Sequence, residues 1–317
     1  MPWGRFLDPK NNYCFTQIFG TEKNKDILIH FLNDILSYKG DEQVTDITFL
    51  PTSQEPDIAV YRQSIVDVMC KNQHGEQFIV EMQLSQHKGF EKRAQYYAAK
   101  AYSQQILKED ENHKKMAVYA KLKGVVFLAI ADFTMFPDKK DWQSKHYLLD
   151  SKTYEHDLKD FHFIFMELEK FKLSLEQLTT IQEKWAYFFK HAQHTTLAEI
   201  EHLIGKDIIM KRAFEAIDQA SWTEKELRTY EHSTKTYFDN LAVEQQKIED
   251  AEARGEARGE ARGEARGKTE GKAEGAEQKV TEIAINMLKQ ELDDSLIIQV
   301  TGLSTNELDE LKKSLIR

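Results

Sequence analysis

The chain has 317 residues, with 53 Asp and Glu against 43 Lys and Arg, a formal net charge of −10. Hydrophobic residues make up 41% and aromatics 11%, which supplies a sizeable core and argues against global disorder. The acidic balance argues against binding nucleic acid by bulk charge, yet leaves room for an enzyme with a local basic groove beside an acidic metal site.

The opening segment, Met1-Pro2-Trp3-Gly4-Arg5, lacks the apolar stretch of a secretory signal. The longest apolar run, 125–131, falls far short of the roughly 20 residues that a membrane helix needs. A soluble, cytoplasmic protein with no membrane partner is expected. Cys14 and Cys70 sit among apolar residues and are expected as buried free thiols. Ile27, Leu28, Phe31, Leu32, Ile35 and Leu36 recur at helical spacing, which predicts a helix over 25–36 with a stop near Gly40. Strands are predicted at 57–61, 64–71 and 77–84, then a helix over 89–109. The run 124–131 is apolar on both faces, as in a central strand. A further strand is predicted at 161–168, and helices fill 174–250, where Trp185, Tyr187, Phe188 and Phe189 are expected as core or interface.

Residues 252–267 then repeat Glu-Ala-Arg-Gly four times, with a degenerate continuation to Gly275. The stretch 251–279 holds seven acids and seven bases, so it is neutral, and its glycines weaken the helix that Glu, Ala and Arg favour. It reads as a linker, either as a fraying helix or as a flexible spacer. Residues 280–317 become amphipathic again: Ile283, Ala284, Met287 and Leu288, then Leu296, Ile297 and Val300, a break at Gly302, and a last helix carrying Leu308, Leu311 and Leu315. Ser304 with Glu307 is a capping-box signature. The pair has the layout of a helix-turn-helix. Glu307, Asp309 and Glu310, early on the second helix, would repel phosphate, so docking or homo-oligomerisation through these C-terminal helices is the competing role.

The chemistry concentrates at 64–84. Two β-rich runs flank Asn72-Gln73-His74-Gly75-Glu76, a hairpin signal. With the loop at 72–76, paired residues sum to 148, so Asp67 faces Glu81 and Ile65 faces Gln83. Val66, Val68 and Cys70 then share an apolar face with Phe78, Val80, Met82 and Leu84, while Asp67, Glu81 and Gln83 share the other. Opposed side chains in such a pair lie about 5 Å apart at Cβ. Two carboxylates that close repel unless a cation lies between them, and hard divalent cations prefer oxygen ligands. A solvated face carrying two acids is the competing reading, and a one-residue slip would bury Glu81 in the core.

An Asp, thirteen residues, then Glu-x-Gln on the next strand resembles the PD-(D/E)XK nuclease superfamily, and more narrowly its Rpn group of recombination-promoting nucleases and putative transposases of bacteria. The likeness covers roughly residues 5–175. It includes Asp8 with Phe15-Thr16-Gln17-Ile18-Phe19-Gly20, then Phe31-Leu32-Asn33-Asp34-Ile35-Leu36, Val80-Glu81-Met82-Gln83, Arg93 with Tyr96-Tyr97, and Phe165-Met166-Glu167-Leu168-Glu169-Lys170-Phe171; Thr301-Gly302-Leu303-Ser304 also recurs in such proteins. The resemblance implies an α/β fold, a restriction-endonuclease-like mixed sheet flanked by helices, with a helical extension and a small C-terminal helical element. The implied divisions are a nuclease-like core at 1–175, the extension at 176–250, the linker at 251–279 and a helix pair at 280–317. The implied activity is a metal-dependent endonuclease acting on DNA, with Asp67 and Glu81 as ligands to Mg²⁺ (Mn²⁺ as a substitute), and Asp67, Glu81, Gln83 and Asp8 as catalytic residues.

Gln83 departs from the superfamily's Lys, although the narrower group commonly has Gln. An amide orients a water but cannot supply charge or act as a base. Arg93, Lys88 and Lys92 are the cations available to help, and solvated helix-face charges are their plainer reading. For the acid from the first helical region, Asp8 competes with Glu22 and Asp26. As the residue before Pro9, Asp8 also reads as a helix N-cap. Asp57 is a weaker candidate, and Tyr96 and Tyr97 read as packing residues. Residues 263–269 are one residue short of a phosphate-binding loop and follow no strand. His191 and His194 have no third zinc ligand evident in sequence. A non-catalytic DNA-binding or interaction protein on the same fold is the alternative function.

Overall fold

The computed structural model describes residues 4–54, 64–107, 119–205 and 207–315. It divides into two units, residues 1–237 and 238–317. Among the described residues of the first, eight strands follow in chain order: β1 (Ile47–Phe49), β2 (Ser53–Gln54), β3 (Ser64–Ile65), β4 (Val68–Asn72), β5 (Gln77–Gln83), β6 (Val125–Ala131), β7 (Gln143–Leu148) and β8 (Leu158–Glu167). Six of them form one sheet in the order β1-β4-β5-β6-β8-β7, while β2 and β3 pair apart from it. The doubly apolar run is indeed central. β6 is buried along its length and runs parallel to β5 on one side and β8 on the other. The outer pairings are antiparallel, so the sheet is mixed.

Both faces are covered, as parallel strands require. One carries α1 (Asn12–Phe19), α2 (Lys25–Leu36), α4 (Ile181–His191), α5 (Leu197–Ile204) and α6 (Ile208–Ile217). Side-chain caps start several of these helices. Asn11 accepts the amides of Tyr13 and Cys14, and Thr180 forms a capping box with Glu183. Phe19, Phe31, Trp185 and Phe189 interlock at ring-centroid distances of 5.1–6.5 Å. The indole N–H of Trp185 donates to Asp34 at 2.8 Å, so the largest core side chain is also satisfied. Cys14 and Cys70 are buried free thiols within this core. The other face carries α3 (Phe90–Leu107), through Ala94, Ala98 and Ala101.

Several boundaries differ from the sequence expectation. β1 is a three-residue strand and β7 a polar edge strand; neither shows the apolar alternation that marks the rest. The expected strand 64–71 is split, because Ile65 pairs with Ser53 rather than facing Gln83. Val66, expected in the main core, packs with the α3 cluster instead. Leu84 lies just past the end of β5. α2 ends at Ser37, in the left-handed region with φ 62°, before Gly40. The expected strand at 57–61 lies outside the described residues, as do the last two residues of the expected helix 89–109.

The last helix to start in the first unit, α7 (Glu224–Lys289), runs on into the second. Residues 251–279 are helical, and the side chains from Ala251 to Glu274 are exposed. Like charges stand four apart at Arg254, Arg258, Arg262 and Arg266, an arrangement that disfavours helix slightly on top of the glycines. The second unit closes with α8 (Asp294–Thr301) and α9 (Thr305–Leu315). Ala284, Ile297 and Leu308 form its buried centre. Gly302 takes φ 72° between α8 and α9, and Ser304 and Glu307 make the capping box their spacing predicts. No described helix is long and apolar enough to cross a membrane.

Candidate active site

The turn between β4 and β5 sets the geometry of the site. The Asn72 side chain accepts the amides of His74 and Glu76, and Gly75 sits at φ 85°, where a side chain would be strained. The turn fixes the pairs Val68–Val80, Met69–Ile79, Cys70–Phe78 and Lys71–Gln77, all summing to 148 as expected. Just beyond this ladder the chain bends at Asp67. The Asp67 carboxylate accepts the backbone N–H of Met82 at 2.8 Å, taking up an amide on the far side of the hairpin. That bend turns Val66 to the α3 side and brings Asp67 beside Glu81.

Glu81 is only 3% exposed, and its Oε1 has no hydrogen-bond partner among the described residues. Burial, and then the charge of Asp67, push its carboxyl up to about 8, against the pull of Arg93. Burial also raises Asp67 to about 6, opposed by the Met82 amide and by Arg93. Each carboxylate therefore lacks the positive charge that would let both ionise near neutrality. Gln83 Nε2 donates to Glu81 Oε2 at 3.3 Å and to the Met82 carbonyl at 3.2 Å. Arg93 Nη2 donates to Gln83 Oε1 at 2.7 Å, and its guanidinium lies 4.9 Å from the Phe90 ring centroid and 5.9 Å from that of Tyr97. Tyr97 borders the pair: burial raises its phenol, with Glu81 and Asp67 adding to the rise and Arg93 opposing it.

The donor set fits a hard divalent cation. One oxygen of each carboxylate is committed to the protein, and Glu81 Oε1 is a buried oxygen left without a donor. Among the described residues no three His, Cys, Asp or Glu side chains gather to form a fuller protein cage. Mg²⁺ is commonly held by one or two carboxylates, with water and substrate oxygens completing its shell.

The other candidates from sequence are placed as follows. Asp8 Oδ1 accepts the Lys10 amide at 3.0 Å, and its own N–H donates to the Tyr230 hydroxyl. Burial raises its carboxyl, and the charged groups around it are Lys10, Asp132 and His194 rather than Asp67 or Glu81. Its reading as a helix N-cap gives way, because Asn11 caps α1. Asp8 is nonetheless linked to the site's edge. Lys10 Nζ reaches Asp132 at 2.7 Å, and the Asp132 amide donates to the Gln83 carbonyl at 2.9 Å. Asp26 is paired with Arg212, and Glu22 lies in a short 3₁₀ turn. Asp57 lies outside the described residues. Lys88 and Lys92 are exposed, and Tyr96 is half exposed.

Glu167 was not singled out by sequence reasoning. It ends β8, two strands across from Gln83 through Ala131, and is fully buried. Its Oε2 accepts the amides of Met135 and Phe136 at 2.7 and 3.0 Å, and Lys170 Nζ lies 2.9 Å from its carboxylate. Glu169 accepts both the amide and the hydroxyl of Thr134. Together they tie down the loop that leaves β6 at the site's border. An acid closing an apolar run, with Lys three residues on, was the available signal.

A family profile described as PD-(D/E)XK nuclease family transposase matches residues 9–247, a span that takes in the whole sheet and also the helical extension. Neither a search of curated proteins nor one of solved structures found a match.

Proposed function

The chain belongs to the PD-(D/E)XK nuclease family transposases, and from that premise we propose that it is a Mg²⁺-dependent endonuclease hydrolysing phosphodiester bonds of DNA, with Mn²⁺ as a working substitute. Promotion of recombination or of mobile-element transfer, in the cytoplasm, is the setting this reading gives it. The observation that carries it is the buried Glu81 carboxylate, one oxygen unpaired, beside Asp67 on the bent end of the hairpin.

Asp67 and Glu81 would hold the cation. A divalent cation there supplies Lewis acidity, lowering the pKa of a bound water and offsetting charge that builds on the phosphate. Asp67 is fixed by the Met82 amide and Glu81 by Gln83, so neither carboxylate needs to reorient when charge develops. Gln83 serves as an orienting amide. Its Oε1 accepts from Arg93, and both Nε2 hydrogens go to Glu81 Oε2 and the Met82 carbonyl, so what it orients is Glu81. Asp8 enters through the Lys10–Asp132 link at the end of β5. DNA binding by an acidic chain would rest on a small basic patch and weaken steeply with salt.

Incubation of supercoiled plasmid with the protein and Mg²⁺, Mn²⁺ or Ca²⁺ tests this reading. Nicking or linearisation with Mg²⁺ or Mn²⁺, lost in Asp67→Asn, supports it. Cutting that is unchanged in the variant rejects the assigned site. A non-catalytic DNA-binding or interaction protein on the same fold is the second reading, favoured by the neutral Gln83 where a cation would serve hydrolysis better. DNA binding with neither cleavage nor divalent-cation binding would select it. Exposed Leu296 and Val300 on α8 support homo-oligomerisation through 280–317, which sedimentation of a chain ending at residue 250 would test.

A further inference from the structure

We propose that Arg93 is a positioning residue of this site, acting through Gln83 to fix the Glu81 carboxylate so that Oε1 is the oxygen left for the cation. The proposal rests on the reading of Asp67 and Glu81 as cation ligands.

Three contacts in sequence make the relay. Arg93 Nη2 donates to Gln83 Oε1 at 2.7 Å, which is short for a neutral amide acceptor and typical of a charge-assisted bond. That bond fixes the orientation of the amide, since a flipped Gln83 would turn its NH₂ group toward a guanidinium that only donates. With Oε1 held, Nε2 points back along β5 to Glu81 Oε2 at 3.3 Å and to the Met82 carbonyl at 3.2 Å. Glu81 Oε2 is thereby occupied, and Oε1 is the buried oxygen without a donor.

The placement of Arg93 gives it little else to do. Among the described residues no carboxylate lies within ion-pair distance of its guanidinium, and its Nε is buried without a hydrogen-bond partner. An unsatisfied guanidinium N–H is costly, so a purely structural side chain here would favour an aliphatic or a fully bonded residue. Packing on Phe90 and Tyr97 sets the plane of the group, and α3 sets its distance from β5. Gln83 and Arg93 thus work as one unit, a neutral amide carrying the orientation and a cation behind it on α3 carrying the charge. This also accounts for a Gln at position 83: the cation enters from the helix, leaving the strand position free to be an amide.

The test is a double-mutant cycle on the full chain with Gln83→Ala, Arg93→Ala and the pair, read as Mn²⁺ affinity by calorimetry without DNA and as plasmid cleavage. Loss of a residue that orients a metal ligand typically lowers metal affinity or activity 10- to 100-fold. Each single variant is expected to fall in that range, and the double variant no further than the worse single. Arg93→Lys, which keeps the charge and loses the planar fork, is expected to rescue less than half of the lost affinity on a logarithmic scale. Thermal melting selects variants that remain folded; should Arg93→Ala not fold, Arg93→Lys takes its place in the cycle. Losses that multiply in the double variant, or full rescue by Arg93→Lys, would overturn the relay while leaving the cation site standing. A wild-type chain that neither binds Mn²⁺ nor cuts DNA would instead overturn the site reading, and the relay with it.

Discussion

The two faces of the sheet are built differently. On one, Phe15, Phe19, Phe31, Trp185, Phe188 and Phe189 fill the space under several helices, and Asp34 at its edge accepts the Trp185 indole N–H. On the other, α3, alone among the described helices, approaches through Ala94, Ala98 and Ala101, in a cluster that also buries Phe90, Phe127 and Phe165. The difference shows where a fold of this kind can place charge. The first layer is thick, several helices packed through aromatic rings; the second is thin, one helix close against the sheet on its alanines, and it holds Glu81 buried yet within reach of Arg93. The first face is spent on stability, and the second gives up some stability for the site.

The largest effect that would sharpen this contrast is on the thin face. Asp67→Asn keeps an acceptor for the Met82 amide but removes a charge, so cleavage should fall on the order of a thousandfold, several kcal/mol of transition-state stabilisation, with the melting temperature unchanged or higher. A drop in melting temperature comparable to that of a core deletion would break the contrast. The thick face should behave oppositely. Trp185→Ala removes the largest fully buried side chain and should cost about 3–5 kcal/mol in denaturant unfolding, with any activity lost only through unfolding.

The third effect is pH dependence of stability in chelator-treated protein. Asp67 and Glu81 are raised to about 6 and about 8, above their ordinary values, so the fold prefers them protonated. Below about pH 3 both are protonated folded and unfolded, and they do not disfavour the fold. As pH rises from there, the unfolded chain releases their protons first, so stability should fall until about pH 8. The fall is of the order of several kcal/mol, since each tenfold in proton affinity is about 1.4 kcal/mol. Glu81→Gln should remove most of that slope in denaturant melts at stepped pH. A slope equal to that of wild type would contradict the electrostatics assigned to the pair. The smallest effect is overpacking: Ala98→Leu should cost about 1–3 kcal/mol and displace α3, lowering Mn²⁺ affinity by loosening Arg93. Unchanged metal affinity would show that α3 tolerates the insertion without moving Arg93.

Much of this was legible in the sequence, for reasons that differ from element to element. The 148 register followed from the polar turn around Asn72 and Gly75 and from the apolar face of Phe78, Val80 and Met82. The central position of β6 followed from its two apolar faces, and the core role of Trp185, Phe188 and Phe189 from helical spacing. Alternation failed at Val66, because the Asp67 side chain substitutes for a backbone partner and bends the strand, which no periodicity reports. β1 and β7 escaped because short or polar edge strands carry little apolar signal. Asp67 and Gln83 both lie beside Glu81, through a bend and a side-chain bond rather than through the expected facing pairs Asp67–Glu81 and Ile65–Gln83. The Glu167 clamp and the Arg93–Gln83 bond depend on which helix and loop fold over the sheet, and spacing along the chain does not encode that.

Calorimetric titration of Mn²⁺ into the chelator-treated full chain, wild type beside Glu81→Gln and without DNA, tests the central claim most directly. A single saturable site in the wild type that is lost in Glu81→Gln is the result predicted. No binding in the wild type, or equal binding in the variant, would contradict it.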